Sequence, residues 1–276
     1  MENLRVAFIG TGSMGSAVLK GLLASGHPAA QISATTRSSQ SAKALRELGV
    51  SAMALEEASD ANALMAGDAD LIVLGVKPYQ IVETLAEING EIGVNAVVIS
   101  MAAGISLETM AGSLPENPNL IRTMPNTPAL VGKGITGISA GARCSKEAVL
   151  AAGELFASVG AVLEIPESMI NPLSAISGSG PAWVYYFIEQ WEAIALEQGF
   201  SKEQAEVMVR GTFDGALDLL AQGDSEPSEL RSNVTSPGGT TAKIIETFDQ
   251  AQLKSIFEAG LRAAVERAEE IARSTQ

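Results

Sequence analysis

Val6-Ala7-Phe8-Ile9-Gly10-Thr11-Gly12-Ser13-Met14-Gly15 is the stretch that decides the fold. Its first four residues are an unbroken apolar run, as in a strand covered on both faces. The spacing G-x-G-x-x-G follows at once and opens a helix over residues 13–24. Strand, glycine loop, then helix is the context that makes this spacing a dinucleotide-binding signature. Gly10 allows the turn, Gly12 lets the backbone approach a pyrophosphate, and Gly15 lets helix and strand lie close.

The same rhythm continues outward. A strand over 31–35 and a helix over 41–48 follow, and DLIVLGV (70–76) and AVVIS (96–100) are short apolar runs of the parallel-strand kind. Residues 119–123, 134–140 and 161–165 add three more strands. These predict an α/β fold with a Rossmann-type doubly wound sheet over residues 1–165. Beyond 165 the strand signal stops, and an all-helical domain over 166–276 is expected. Val209, Phe213, Ala216, Leu217 and Leu220 recur at helical spacing, as do Leu253, Ile256, Phe257, Leu261, Ala264, Val265 and Ala268. A helical segment of this length has little room to bury such stripes internally, so part of the surface should pair with a second copy. SGSGP (177–181) reads as a break or capped restart ahead of an aromatic helix over 183–191.

The end of the second strand bears on the cofactor. An NAD site places Asp or Glu there for the ribose 2′-hydroxyl. This chain has Ala34, Thr35, Thr36, Arg37 and Ser38, with no acid. Hydroxyls and a guanidinium suit a 2′-phosphate, which favours NADPH, with NADH the lesser alternative. Val76-Lys77-Pro78 and Met101-Ala102-Ala103 follow two further strands, where open α/β sheets place ligands, and are candidates for the nicotinamide half.

Composition sets the outer limits. The 276 residues can hold two domains, and 46% apolar content with a mean hydropathy of +0.21 is that of a globular chain. The 32 acidic against 18 basic side chains leave a net charge of −14, which argues against nucleic-acid or anionic-membrane partners. No apolar run reaches the roughly 18 residues needed to span a bilayer, and residues 1–4 run straight into a strand, so a cytoplasmic address is expected. One cysteine and one histidine exclude an internal disulfide, and no metal site is expected. A histidine-based nucleophilic mechanism would have to use His27, beside Pro28 in an expected loop, while Cys144 reads as a bystander.

Near the other end stands Val234-Thr235-Ser236-Pro237-Gly238-Gly239-Thr240-Thr241. It reads as a tight turn feeding a helix, with Ser236 able to cap, Pro237 fixing φ and two glycines removing every Cβ. Such a helix start can hold a carboxylate, with two hydroxyls beside it. A redox cofactor at one end and a carboxylate trap at the other suggest a reductase of a small acid.

These residues resemble one family, pyrroline-5-carboxylate reductase, through FIGTGSMG (8–15), GVKP (75–78), SMAAGI (100–105), IRTMPNTP (121–128), SGSGPAW (177–183) and LRSNVTSPGGTTAKII (230–245). The resemblance implies an NADP-binding domain, a helical C-terminal domain, and homodimers built through those helices and stacked into larger rings such as a decamer. It also implies dinucleotide contacts at 10–15, then Thr36, Arg37 and Ser38 at the adenosine phosphate, with Asn62 near the adenosine end. Val76, Lys77, Ala102 and Ala103 would match the nicotinamide loops, and Asn233 a residue near the nicotinamide ribose. The substrate carboxylate would lie on Ser236, Gly239 and Thr240, with Thr241 facing the ring nitrogen and Glu167 reaching the substrate from a partner subunit.

The implied substrate is the cyclic imine Δ1-pyrroline-5-carboxylate, and the implied reaction is hydride transfer from NADPH to the C=N carbon to give proline. A protonated imine is already a strong electrophile, so little acid–base machinery is needed, in keeping with a single histidine. Three rivals stay open: a reductase of a related cyclic imine, a β-hydroxyacid-dehydrogenase-like enzyme, and a non-catalytic NADP-binding regulatory protein. The second resembles enzymes with a lysine on the helix after the glycine-rich break, whereas here the first lysine beyond Pro181 is Lys202.

Overall fold

A computed structural model describes residues 4–274. The elements begin β1 (Val6–Ile9), α1 (Ser13–Ala24), β2 (Ile32–Thr36), α2 (Ser39–Arg46), β3 (Ser51–Ala54), α3 (Ala61–Ala66), β4 (Leu71–Leu74), α4 (Ile81–Ile88) and β5 (Val97–Ser100). They continue with α5 (Leu107–Ser113), β6 (Leu120–Pro125), β7 (Gly134–Ala140), α6 (Lys146–Ala157) and β8 (Gly160–Glu164). The strands form one sheet in the order β3-β2-β1-β4-β5-β6-β7-β8.

β1 shows why two layers of helices are required. Val6 and Phe8 join an apolar cluster with Val18 of α1, Leu45 of α2 and Phe156 of α6. Ala7 and Ile9 point the other way, into a cluster with Ile81, Leu85 and Ile88 of α4. Every β1 residue is therefore buried, and the period-two alternation is apolar on both faces. The chain runs outward from β1 to β3 and then returns to β4 on the other side of β1. That reversal opens a crevice at the carboxyl ends of β1 and β4, where this architecture binds ligands.

Two features depart from the sequence reading. β7 pairs antiparallel to β6, and β8 parallel to β7. Only residues 126–133 join β6 to β7, shorter than the ~10–12 residues of a parallel crossover. β3 (SAMA) and α3 (ANALMA) escaped detection, because short runs of small side chains carry little hydrophobic period.

By its internal contacts the chain forms two compact units, one running up to Ser179 and taking in the residues from Ala264 onward, the other Gly180–Ala263. In the first, α7 (Ile170–Leu173) leads into a π turn over Ser174–Gly178, closed by the Ser179 N–H donating to the Ser174 carbonyl at 2.9 Å. The second contains α8 (Gly180–Glu197), α9 (Lys202–Gln222), α10 (Pro227–Asn233), α11 (Thr240–Gln250) and the start of α12 (Leu253–Ser274). SGSGP thus spans the end of a π turn and the start of α8, the restart that the sequence offered as the alternative to a break.

Within the second unit, Trp191 meets Phe213 at 5.4 Å, and Trp183 stacks on Phe257 at 5.9 Å. Arg210 donates to Glu192 across α8 and α9 at 2.8 Å, and a capping box of Ser201 and Gln204 opens α9. Tyr185, Ile194, Leu217 and Ile244 stay exposed. Among the described residues, no helix is long and apolar enough to cross a membrane.

His27 follows the C-terminal turn of α1 and is 6% exposed, and neither ring nitrogen has a hydrogen-bond partner among the described residues. Burial pushes its pKa below the ordinary histidine value. The unfolded chain therefore binds the proton more readily, and stability falls as pH drops below about 6.5 toward the lowered folded value. Thermal melts from pH 7.5 to 5.5 should show a loss of Tm that His27→Phe reduces.

Candidate active site

The crevice between β1 and β4 is a cavity of 340 Å³ lined by Gly10, Gly12, Thr35, Arg37, Asn62, Val76 and Lys77, among others. Gly10 adopts φ +76°, and a Cβ there would strike the Val76 side chain. The loop is pinned from β2. The Gly10 N–H donates to Thr35 Oγ1 at 2.9 Å and the Thr11 N–H to the Thr35 carbonyl at 2.7 Å. The Thr35 hydroxyl donates to Asn62 Oδ1 at 2.8 Å, and Asn62 Nδ2 donates to Glu87 Oε2 at 2.7 Å. Asn62 lines the cavity and also fixes the glycine loop through Thr35.

Gly12 is the N-cap of α1 and has no atom within 4 Å of where a Cβ would stand. No side chain caps α1, and its first turn holds no acid. The amides of Ser13 and Met14 therefore open the helix at its positive end without a side-chain acceptor, a fit for the pyrophosphate of a dinucleotide.

Gly15 does not do what its place in the motif suggests. A Cβ there would find nothing nearer than 3.7 Å, so close packing does not require glycine. The close approach falls at Gly75, at the end of β4, where a Cβ would lie 2.8 Å from the Gly10 carbonyl. Sequence reasoning passed over Gly75, although it stood just before the Val76-Lys77-Pro78 candidate. Lys77 is extended (φ −65°, ψ 150°) as a residue before proline must be, and Pro78 begins a 3₁₀ turn. On the neighbouring loop the Ala102 N–H donates to Ser100 Oγ at 3.2 Å, the Met101 methyl reaches toward Gly75, and Ala103 follows.

At the adenosine end, the Thr36 hydroxyl donates to the Ser38 carbonyl at 2.9 Å, and Ser38 caps α2 by accepting from the Ser41 N–H. Arg37 is exposed and makes no ion pair among the described residues. An acid does arrive here, from a place the second strand could not reveal. Glu56, just past β3, accepts from the Ser39 N–H at 2.9 Å and from the Ser39 hydroxyl at 3.3 Å.

Glu167 Oε1 accepts from the Leu107 N–H at 2.8 Å and from Arg122 Nη1 at 3.1 Å. Arg122 is buried in β6 and also donates to Asn171 Oδ1 at 3.1 Å. Within its own chain, Glu167 thus ties β6 to the start of α5. Burial pushes the Cys144 thiol pKa up, which makes it a poor nucleophile.

In the second unit, Ser236 is not the helix cap. Gly239 is the N-cap of α11, and the Ser236 carbonyl closes the turn by accepting the Gly239 N–H at 3.0 Å. Gly238 takes φ +70°, which calls for glycine, and a Cβ on Gly239 would lie 2.7 Å from Ser236 Oγ and 3.1 Å from the Ser236 carbonyl, so it would crowd the turn. With the Gly239 amide engaged and the Lys243 N–H donating to the Gly239 carbonyl at 3.3 Å, the amides left open at the helix start are those of Thr240, Thr241 and Ala242. Again no side chain caps the helix, and no acid stands in its first turn. Thr241 is half-buried, whereas Ser236, Thr240 and Asn233, the last residue of α10, are exposed.

Residues 167–271 match the family model for pyrroline-5-carboxylate reductase dimerisation, and residues 5–104 the model for NADP oxidoreductase, coenzyme F420-dependent. The pyrroline-5-carboxylate reductase of Vibrio alginolyticus is 38% identical over 98% of this chain and 98% of its own. The solved pyrroline-5-carboxylate reductase of Coxiella burnetii superposes with a TM-score of 0.90 at 33% identity, covering 97% of this chain and 98% of that one. That of the Plasmodium falciparum pyrroline carboxylate reductase, with NADP bound, gives 0.85 at 27% identity over 99% of each.

The glycine geometry separates two substitutions in one motif region. Gly15→Ala should leave unfolding free energy unchanged or raise it by up to about 1 kcal/mol through helix propensity. Gly75→Ala should lower it by about 1–3 kcal/mol, the usual cost of forcing extra volume into a packed site. Urea titration of both variants checks the contrast.

Proposed function

The chain belongs to the pyrroline-5-carboxylate reductase family, and from that premise we propose how its own residues carry out the reduction. It is an NAD(P)H-dependent oxidoreductase acting on a CH–NH group, and it converts Δ1-pyrroline-5-carboxylate to L-proline in proline biosynthesis. Bound NAD(P)H supplies the hydride that the C=N carbon receives.

One observation carries the assignment of roles. The helices α2, α5, α6 and α9 begin at serines whose side chains cap them. By contrast, α1 and α11 begin at glycines, with no side-chain cap and no first-turn acid. The helices α3, α4, α7 and α10 also lack a side-chain cap, but their N-caps are Asp60, Gln80, Met169 and Glu226. The glycine-opened starts of α1 and α11 are therefore the proposed anion sites, α1 for the pyrophosphate and α11 for the substrate carboxylate. On α11 the Thr240 and Thr241 amides take the carboxylate, Gly239 keeps the approach open, and Ser236 adds a hydroxyl. The Thr241 hydroxyl hydrogen-bonds the ring nitrogen, directly or through water. The chain's task is then mainly position, and holding reactant and cofactor in register can contribute up to ~7–11 kcal/mol.

In this reading Gly10 to Gly15 hold the pyrophosphate, and Thr36, Arg37 and Ser38 receive a 2′-phosphate, which favours NADPH over NADH. Asn62 lies at the adenosine end, Val76, Lys77, Pro78, Met101, Ala102 and Ala103 flank the nicotinamide, and Asn233 its ribose. Glu167 reaches the substrate of a partner subunit, for which its Oε2 stays uncommitted among the described residues. The functional division falls at 165/166, at the end of β8, with the helical part forming homodimers that stack into a decamer in the cytoplasm.

Following NADPH absorbance with Δ1-pyrroline-5-carboxylate as substrate tests the assignment, and Thr241→Val should lower kcat/KM by about 10–100-fold. An unchanged rate would remove Thr241 from the mechanism. Arg37→Asp should move preference from NADPH toward NADH, read as the ratio of kcat/KM for the two cofactors.

A further inference from the structure

We infer that Glu56 is a cofactor-specificity residue, one that holds down this enzyme's preference for a 2′-phosphorylated dinucleotide. The inference rests on the proposed adenosine site and deepens it.

In the turn after β2, Thr36 donates its hydroxyl to the Ser38 carbonyl, and Ser38 Oγ accepts from the Ser41 N–H and lies 3.0 Å from the Ser41 hydroxyl, which leaves the Arg37 guanidinium as the exposed cation. The first amide of α2, Ser39 N–H, is the natural place for an anion at this helix start. Glu56 already holds it at 2.9 Å, together with the Ser39 hydroxyl.

Glu56 is held in place by its backbone. The Leu55 N–H donates to the Thr36 carbonyl at 2.9 Å, and the Glu56 N–H to the Arg37 carbonyl at 3.4 Å. Its neighbour Glu57 is tied to Arg46 and to the Ala54 N–H. The segment 55–57 is thus zipped onto the end of β2 and onto α2, with the Glu56 carboxylate aimed at the helix start.

A 2′-phosphate brings roughly −1.5 to −2 charges, judged from other phosphomonoesters, and must displace this carboxylate or share its surroundings. A ribose 2′-hydroxyl brings no charge and can donate a hydrogen bond to a carboxylate, so Glu56 penalises one cofactor and not the other. Arg37 attracts the phosphate and Glu56 repels it, and their balance sets the ratio.

The test measures binding directly. Titration calorimetry with NADP⁺ and NAD⁺ is run on the intact protein, on Glu56→Gln, and on Glu47→Gln as a charge-matched control at the far end of α2. Glutamine keeps the acceptor for Ser39, and unchanged thermal melting confirms the fold. Glu56→Gln should tighten NADP⁺ binding about tenfold and move NAD⁺ by less than about twofold, with the gain shrinking as salt rises. Glu47→Gln should change neither. Equal effects on both dinucleotides, no effect, or weaker NADP⁺ binding would overturn the role of Glu56. If the unsubstituted protein binds neither dinucleotide, the cofactor site itself is misassigned and this inference falls with it.

Discussion

Gly10 and Gly75 sit at the ends of neighbouring parallel strands, and their backbones approach so closely that a side chain on Gly75 would press on the Gly10 carbonyl. The Gly75 N–H donates to the Ile9 carbonyl at 2.8 Å, which carries the β1–β4 ladder one step beyond the strands. Side chains at these points would part the strand ends and close the crevice. Because both are bare, the glycine loop folds over the edge and exposes the α1 amides. The hydrogen-bonded line from Gly10 through Thr35 and Asn62 to Glu87 then fixes the loop. Its central members are buried, where an unpaired polar group is costly, so the chain of bonds stays intact or fails together.

Much of this was legible in the chain. β1, the glycine loop and α1 could be read because a continuous apolar strand and a glycine signature are local signals. The helical half was legible through its 3.6-residue stripes. What escaped depends on distant partners. The direction of β7 follows from the shortness of its connection to β6, a geometric limit rather than a residue preference. The packing glycine lay outside the motif, at Gly75, because it is defined by a strand from another part of the chain. Glu56 was invisible for the same reason: it lies 17 residues beyond the Ser39 amide it occupies. The turn at 236–239 was read correctly as a turn, yet its cap was misjudged. Serine is the better side-chain cap, but here its carbonyl closes the turn and glycine takes the cap position.

The charge of the protein gives these local arrangements their weight. With a net charge of −14, the mean field of the molecule opposes an anionic cofactor and an anionic substrate alike. Attraction must come from short-range donors, and uncapped helix starts provide it without adding a cation. Leaving acids out of the first turns of α1 and α11 has the same sense, since an acid there would fill the site intended for the ligand. The Arg122–Glu167–Leu107 arrangement follows the opposite rule: a buried cation is matched internally and takes no part in that attraction.

The sparse interior of the second unit has a thermodynamic corollary. Among its described residues only Ala205 and Val209 are fully buried, while aromatic and branched side chains face outward along α8, α9 and α11. Helices that enclose so little derive little folding free energy from themselves. Association supplies the remainder, so the midpoint of unfolding should climb with protein concentration, and dilution alone should loosen the helical half before the sheet.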